Sequence, residues 1–153
     1  YQRSRGLGDV YKRQGLTKQT KGELINHNED KVCFLGHKNN LKNYLSIREN
    51  LMIQGLKLDS FNLDLLEKFN LRRHIDNSVG TLSFGQQKKL SLIRVLNSVE
   101  NILILDEPFV GLDQNSKEFL KDFMEAEVKK NKTIIFTSHI DFKDDYREIK
   151  ING

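Results

Sequence analysis

The chain has 153 residues, of which 37% are hydrophobic and 30% are charged. This composition is typical of a globular domain with one core, and it excludes an intrinsically disordered chain. No apolar run approaches the roughly 18–20 residues that cross a bilayer, and no signal-peptide pattern opens the sequence. Cys33 is the only cysteine and lies in an apolar run, so a disulfide framework is excluded and we expect a buried thiol in a reducing compartment.

The net charge of +4 is concentrated at the start of the chain. Residues 1–14 hold four basic side chains and one acidic one, which leaves a net charge of +1 for the rest of the chain. This opening segment has no helical or strand periodicity and resembles a translated adapter sequence, so we predict that it is non-native. A natural basic arm is the alternative. On either interpretation the basicity does not indicate a nucleic-acid partner, and none is expected.

The first half of the chain predicts one strand followed by helices. The short apolar run KVCFL at 31–35 predicts a strand. An S-x-x-E capping box at 46–49 predicts a helix that ends near Leu56. Apolar residues at helical spacing in 61–71 predict a second helix, and a third should follow Ser83.

The second half predicts buried strands separated by one helix. The continuous apolar runs ILIL at 102–105 and TIIFTS at 133–138 are typical of parallel strands that are covered on both faces. Between them, 115–130 places apolar residues on one face of a helix, and REIKI at 147–151 predicts a last short strand. This alternation indicates an α/β fold with a mostly parallel sheet, beside which the helices between about 46 and 98 form a helical insertion.

Two acids follow the first of these buried runs, in the stretch ILILDEP. Asp106 and Glu107 should therefore project from the carboxyl end of a strand, where open α/β sheets bind their ligands. One acid in such a position can hold Mg²⁺, and its neighbour can orient a water that attacks a phosphate. Taken alone, the pair is also compatible with solvated acids at an ordinary strand end.

Three further residues of interest follow the acids. Gly111 permits a tight turn in VGLD, and Asp113 can cap the helix that comes next. His139, in TSH, ends the strand after that helix, on the same edge of the sheet as Asp106. A histidine there can hydrogen-bond a phosphate, although a single histidine at a strand end more often has a structural role.

The stretch LSFGQQKKL precedes both acids. Ser83 and Gln86 satisfy an S-x-x-Q capping box, so one interpretation is a well-capped helix. The first N–H groups of a helix have no acceptor within the helix, and the helix dipole is positive at this end. A helix N-terminus can therefore bind an anion. Gly85 would let a phosphate approach the backbone closely.

The order of these parts resembles the nucleotide-binding domain of ABC ATPases, which has a P-loop NTPase fold. In that family LSFGQ is the signature motif, ILILDEP is Walker B, GLD is the D-loop and His139 is the H-loop histidine. The resemblance covers roughly residues 15–140. His37 in the Q-loop region and Phe109 after DEP are similar to one subgroup, the ATP-binding subunits of haem exporters in cytochrome c-type biogenesis.

The chain departs from the family pattern in two places. Phe84 replaces the first glycine of the common L-S-G-G-Q form. Walker A, the G-x-x-x-x-G-K-[ST] loop that binds phosphates, is not in the sequence and should lie just before Gly15. We therefore expect residues 15–153 to be the C-terminal part of an ABC ATP-binding domain, a partial P-loop NTPase fold whose hydrolysis is negligible in this fragment alone.

By this resemblance, the whole protein would be an ATPase that uses ATP and Mg²⁺. Asp106 would hold the metal, and Glu107 and His139 would be catalytic. The nucleotide would be bound by five residues, which are His37, Ser83, Gly85, Gln86 and Asp113. The partners would be a second ATP-binding domain in a head-to-tail dimer and integral membrane transporter subunits. This protein would lie peripherally at the cytoplasmic face of the inner (plasma) membrane.

Two other functions stay open from the sequence. The chain could be a non-catalytic partner domain that supplies only its signature motif to an intact subunit. It could also be a soluble ABC-type ATPase of repair or translation. The near-neutral charge after residue 14 argues against this last function, because such proteins bind nucleic acid.

Overall fold

A computed structural model of the chain describes residues 31–36 and 39–138. Its elements are, in chain order, β1 (Val32–Leu35), α1 (Ile47–Ile53), α2 (Ser60–Lys68), two turns of 3-10 helix (Arg72–His74 and Val79–Thr81), α3 (Phe84–Leu96), β2 (Ile102–Leu105), α4 (Gln114–Lys129) and β3 (Thr133–Phe136). The strands and helices predicted for this part of the chain are confirmed, with small shifts of their ends. The predicted strand at 147–151 and the opening segment 1–14 lie outside the described residues.

The three strands form one parallel sheet in the order β1-β2-β3, with β2 in the centre. The hydrogen bonding continues past the strand ends. The amide of Asp106 donates to the carbonyl of Leu35 over 2.7 Å, and the amide of Thr137 donates to the carbonyl of Leu105 over 3.0 Å. The residues just after β2 and β3 therefore lie side by side at the carboxyl edge of the sheet, as expected of an α/β fold.

The side chains that the sequence predicts as caps lie at the N-termini of α1 and α4. Ser46 and Glu49 form the predicted capping box at the start of α1, where the Ser46 amide donates to Glu49 Oε2 over 2.7 Å. Asp113 caps α4 by accepting from the Ser116 amide over 2.9 Å. These caps fix where each helix begins and so position the loops that precede it. Within the ranges described, none of the helices is long and apolar enough to cross a bilayer.

The hydrophobic core lies between the sheet and the helices packed on it. α3 contacts both β1 and α2, and it is buried along most of its length. Leu90, Leu92 and Ile93 on this helix are each at most 1% exposed. Cys33 on β1 is free and 4% exposed, which confirms the predicted buried thiol. The middle and C-terminal turns of α3 thus anchor this helix in the core.

The predicted burial of β3 is wrong, and two residues of the apolar helix faces are exposed. Phe61 in the first turn of α2 and Val128 in the last turn of α4 are each 51% exposed. β3 was expected to be covered on both faces, yet its side chains alternate between exposed and half-buried, and Ile135 is 39% exposed. β3 lies at the edge of the described sheet, where α4 packs against it and the face with Ile135 stays open.

Candidate functional site

The two acids of the DEP stretch follow the central strand. Asp106 is the first residue after β2 and is 6% exposed, and Glu107 beside it is half-buried. Asp106 Oδ1 accepts a hydrogen bond from Thr137 Oγ1 over 2.7 Å, and the Glu107 amide donates to the same Oγ1 over 3.0 Å. The end of β3 thus orients both acids at the carboxyl edge of the sheet, which is the position predicted from the sequence.

Lys88 of α3 is a buried lysine that reaches the end of the central strand. It is 3% exposed, and its Nζ donates to the main-chain oxygen of Asp106 over 3.3 Å. Burial lowers the pKa of Lys88, while the nearby charges of Asp106 and Glu107 act in the opposite direction. An ammonium at this depth requires polar partners, and the strand end supplies them.

The N-terminus of α3 has the predicted capping box. Ser83 Oγ accepts from the Gln86 amide over 3.3 Å, and Gln86 Oε1 accepts from the Ser83 amide over 2.8 Å. A hydroxyl that accepts one hydrogen bond keeps its O–H for donation, and the first amides of a helix have no acceptor within it. This end of α3 can therefore bind an anion with the Ser83 hydroxyl and with backbone amides.

The first turn of α3 is in direct contact with the turn that follows the acids. A Cβ added to Gly85 would lie 2.5 Å from the carbonyl oxygen of Gly111. Gly111 has a φ of 79°, which L side chains rarely adopt, and a Cβ added there would lie 2.8 Å from atoms of the Phe84 ring. Phe84 remains 53% exposed. The bulky Phe84 in the signature motif is thus accommodated because the residue opposite it has no side chain.

A second contact joins α3 to the start of α4. Lys89 Nζ forms an ion pair with Asp113 Oδ2, while Asp113 Oδ1 accepts from the Ser116 amide. The hydrogen bond from Lys89, followed by that from the Ser116 amide, lowers the pKa of Asp113 to about 2. Asp113 is therefore ionised at neutral pH, and its ion pair with Lys89 joins the start of α4 to α3.

The segment 106–113 brings most of the predicted site residues together. It begins at the two acids, touches Gly85 through Gly111, and ends at the Lys89 ion pair. His37 and His139, which were predicted to contact the nucleotide, lie outside the described residues. Their roles stay predictions.

Three residues of the site were missed in the sequence: Lys88, Lys89 and Thr137. The signal for the lysines was present, because two consecutive lysines stand in a run whose apolar neighbours predict a buried helix face. Thr137 follows β3 directly, so it shares the carboxyl edge of the sheet with the acids. Neither signal identifies the atom that each side chain contacts.

Comparison with known sequences assigns the chain to a family. The sequence profile of the ABC transporter family matches residues 8–110. This chain belongs to the ABC transporter family. The match includes the signature motif and both Walker B acids.

Curated ABC transporter proteins are similar over most of the chain. The Cytochrome c biogenesis ATP-binding export protein CcmA of Roseobacter denitrificans is 32% identical over 118 residues, which cover 76% of this chain and 57% of that protein. The protein of the same name from Aliivibrio fischeri is 30% identical over 147 residues, which cover 94% and 70%. The Nod factor export ATP-binding protein I of Rhizobium meliloti is 32% identical over 108 residues, which cover 66% and 32%. The chain thus spans little more than half the length of the Roseobacter protein.

Solved structures of ABC ATP-binding domains share the fold. The ATP-binding subunit of an ABC transporter superposes with a TM-score of 0.73 at 20% identity, over 88% of this chain and 63% of that chain. A dimeric ATP-binding cassette in a post-hydrolysis state, bound to ADP and Pi, gives a TM-score of 0.65 at 23% identity, over 88% and 70%. The α/β fold of this chain is therefore that of an ABC ATP-binding domain.

Proposed function

We propose that the protein is the ATP-hydrolysing subunit of an ABC transporter. The observation that carries this proposal is the arrangement of Asp106 and Glu107, which Thr137 orients at the carboxyl end of the central strand. The contact between Gly85 and Gly111 joins these acids to an anion-binding helix end. Phosphoryl transfer is catalysed mainly by positioning and by electrostatic stabilisation, and this arrangement supports both.

Asp106 is the residue that we assign to Mg²⁺. In the part of the chain that the structure describes, no cluster of three or more His, Cys, Asp or Glu side chains could enclose a metal ion. Mg²⁺ in nucleotide sites takes one or two carboxylates and completes its shell with phosphate oxygens and water, so a single well-oriented acid fits it. When bound, the ion would neutralise charge on the phosphates. Glu107 would orient the attacking water, and His139 would contact the γ-phosphate.

The signature motif of one chain is proposed to bind a nucleotide held by a partner. The Ser83 hydroxyl and the first-turn amides of α3 are suited to the γ-phosphate, and Gly85 lets it approach. Gln86 supports this surface by capping Ser83, and Asp113 supports it through Lys89. Phe84 and Val110 are large apolar side chains that are exposed beside this surface, which favours a second ATP-binding domain packing over it.

The transported substrate is proposed to be haem in cytochrome c-type biogenesis. Two of the similar proteins carry a name from that process. His37 and Phe109 are the residues on which the sequence resembles that subgroup. The partners would then be integral membrane subunits, with this protein at the cytoplasmic face of the inner membrane. Deletion of the gene is expected to reduce the content of c-type cytochromes, and an unchanged content would contradict the haem assignment.

Hydrolysis of ATP by two forms of the protein tests the proposal. One form is the 153-residue chain, whose sequence contains no G-x-x-x-x-G-K-[ST] loop. The other is an extended chain, in which residues 15–153 follow a segment that carries this loop. We expect Mg²⁺-dependent hydrolysis from the extended chain and a negligible rate from the 153-residue chain. Robust hydrolysis by the shorter form, or none by the extended form, would contradict the proposal.

A further inference from the structure

The peptide unit between Asp106 and Glu107 is held from both sides. Its carbonyl oxygen, which belongs to Asp106, accepts a hydrogen bond from Lys88 Nζ over 3.3 Å. Its N–H, which belongs to Glu107, donates to Thr137 Oγ1 over 3.0 Å. Lys88 lies 18 residues before Asp106 in the sequence, and Thr137 lies 30 residues after Glu107. Two separate elements, α3 and the end of β3, therefore converge on one peptide.

The orientation of this peptide sets the backbone of Glu107. Glu107 has a φ of 47°, in the left-handed region that a residue other than glycine adopts only where its surroundings impose it. Rotation of the preceding peptide plane would change that angle and swing the Glu107 side chain. Contacts that hold both the carbonyl and the N–H of the plane therefore fix the Cα–Cβ direction from which the Glu107 carboxylate extends.

The Thr137 hydroxyl has a second contact in the same arrangement. Its O–H donates to Asp106 Oδ1 over 2.7 Å, while its oxygen accepts from the Glu107 amide. One hydroxyl thus connects the side chain of the first acid to the backbone of the second. Valine has nearly the same shape and no hydroxyl, so Thr137→Val would remove both bonds with little change in volume.

Lys88 occupies a position where an uncharged side chain would be expected. Lysine is almost never fully buried unless it is paired, yet Lys88 is 3% exposed. Methionine would fill the same space without the desolvation of an ammonium group. The contact with the Asp106 carbonyl, beside the two acidic side chains, gives a physical reason for a charged residue at this place.

We propose that Lys88 and Thr137 are positioning residues, which together fix the peptide between Asp106 and Glu107 and so orient the Glu107 carboxylate toward the attacking water. The role of Glu107 in this inference rests on the proposed function. The two-sided contact with the peptide is a property of the fold, and it can be tested without catalysis. Lys88 acts through the peptide that precedes Glu107, and Thr137 acts through that peptide and through the Asp106 carboxylate. Neither residue is required to touch the nucleotide.

Amide hydrogen exchange of Glu107 in the 153-residue chain, followed by NMR, tests the contact itself. Thr137→Val is expected to raise the exchange rate about tenfold through loss of the acceptor, and Thr137→Ser should leave it nearly unchanged. Lys88→Met is expected to raise the exchange rate by a smaller factor. Lys88→Arg keeps a donor and a positive charge, so its exchange rate should stay close to that of the wild type. Thr133→Val on β3 and Arg94→Met on α3 are matched controls, which should have no effect.

An unchanged Glu107 exchange rate in Thr137→Val, with the circular dichroism of the folded chain retained, would overturn the inference. If Lys88→Met does not fold, Lys88→Gln replaces it as the test of the lysine contact, and the comparison of valine with serine at position 137 decides the threonine contact. An equal rise in the Thr133→Val control would also overturn it, because the effect would then be one of general loosening.

Kinetics of the extended chain test the consequence for catalysis. Thr137→Val and Lys88→Met are each expected to lower kcat about tenfold while KM for ATP stays within about twofold. The double variant should lose less than the product of the two single losses, because both residues act on one peptide. A raised KM at constant kcat would overturn the positioning role. If the extended chain hydrolyses no ATP at all, the proposed function fails, and the exchange measurement still decides whether the peptide is held from both sides.

Discussion

Glu107→Gln in the extended chain is expected to lower kcat for ATP hydrolysis by about 10²–10³-fold with little change in KM for ATP. Glutamine keeps the size of the side chain but is a far weaker proton acceptor, and loss of a positioned general base has effects of this order. The backbone of Glu107 is held by Thr137 and should keep its conformation. Steady-state hydrolysis over a range of ATP concentrations at saturating Mg²⁺ measures both constants.

The matched control for this variant is Glu125→Gln. Glu125 is an exposed acid on α4, away from the carboxyl edge of the sheet, and its replacement makes the same chemical change. We expect wild-type hydrolysis from it. A kcat for Glu107→Gln within threefold of the wild-type value would exclude Glu107 as the residue that orients the water.

Gly85→Ala is expected to destabilise the fold by about 1–2 kcal/mol, although it replaces glycine in a helix. Helix propensity alone would make this change stabilising by up to about 1 kcal/mol. The added Cβ, however, would lie 2.5 Å from the Gly111 carbonyl oxygen, which is part of the backbone and cannot rotate away. Overpacking of this kind costs about 1–3 kcal/mol, so the steric effect exceeds the propensity gain. Urea unfolding of the 153-residue chain measures the balance.

The same substitution should also impair catalysis in the extended chain. Relief of the contact would displace segment 106–113 together with the two acids, and shifts of about 1 Å in reacting groups can cost about 10²-fold. Gly55→Ala is the matched comparison, because Gly55 has a φ of 76° and no atom within 4 Å of an added Cβ. It should lose about 1 kcal/mol of stability from backbone strain and keep its hydrolysis rate. Stabilisation by Gly85→Ala would show that the contact with Gly111 is not tight.

Local patterns in the sequence predicted the parts of this fold that depend on neighbouring residues. The Ser83 capping box follows from a glutamine three residues after a serine, and it is present. The position of Asp106 at a strand end follows from an apolar run that stops abruptly, and it is also correct. Periodicity identifies the face of an element, however, and does not show what covers it. The sequence therefore predicts that Ile135 on β3 is buried, although in the described sheet it is exposed.

The contacts that complete the site could not be predicted in this way because they are long-range. Lys88 and Asp106 are 18 residues apart, and Thr137 and Asp106 are 31 apart, so no local period connects them. The burial of Lys88 also runs against the general tendency of lysines to be exposed. The contact of Phe84 is long-range as well. The motif accommodates its large ring because Gly111, which lies opposite the ring, has no side chain.

The most direct measurement of the central claim is ATP hydrolysis by a mixture of two inactive variants of the extended chain. One variant carries Ser83→Arg, which blocks the signature motif, and the other has the lysine of its phosphate loop replaced by alanine. If the signature motif of one chain completes the nucleotide site of its partner, half of the dimers in an equimolar mixture contain one intact site. We therefore predict recovery of about a quarter of the wild-type rate. A mixture no more active than the separate variants would contradict the account, as would full activity of Ser83→Arg alone.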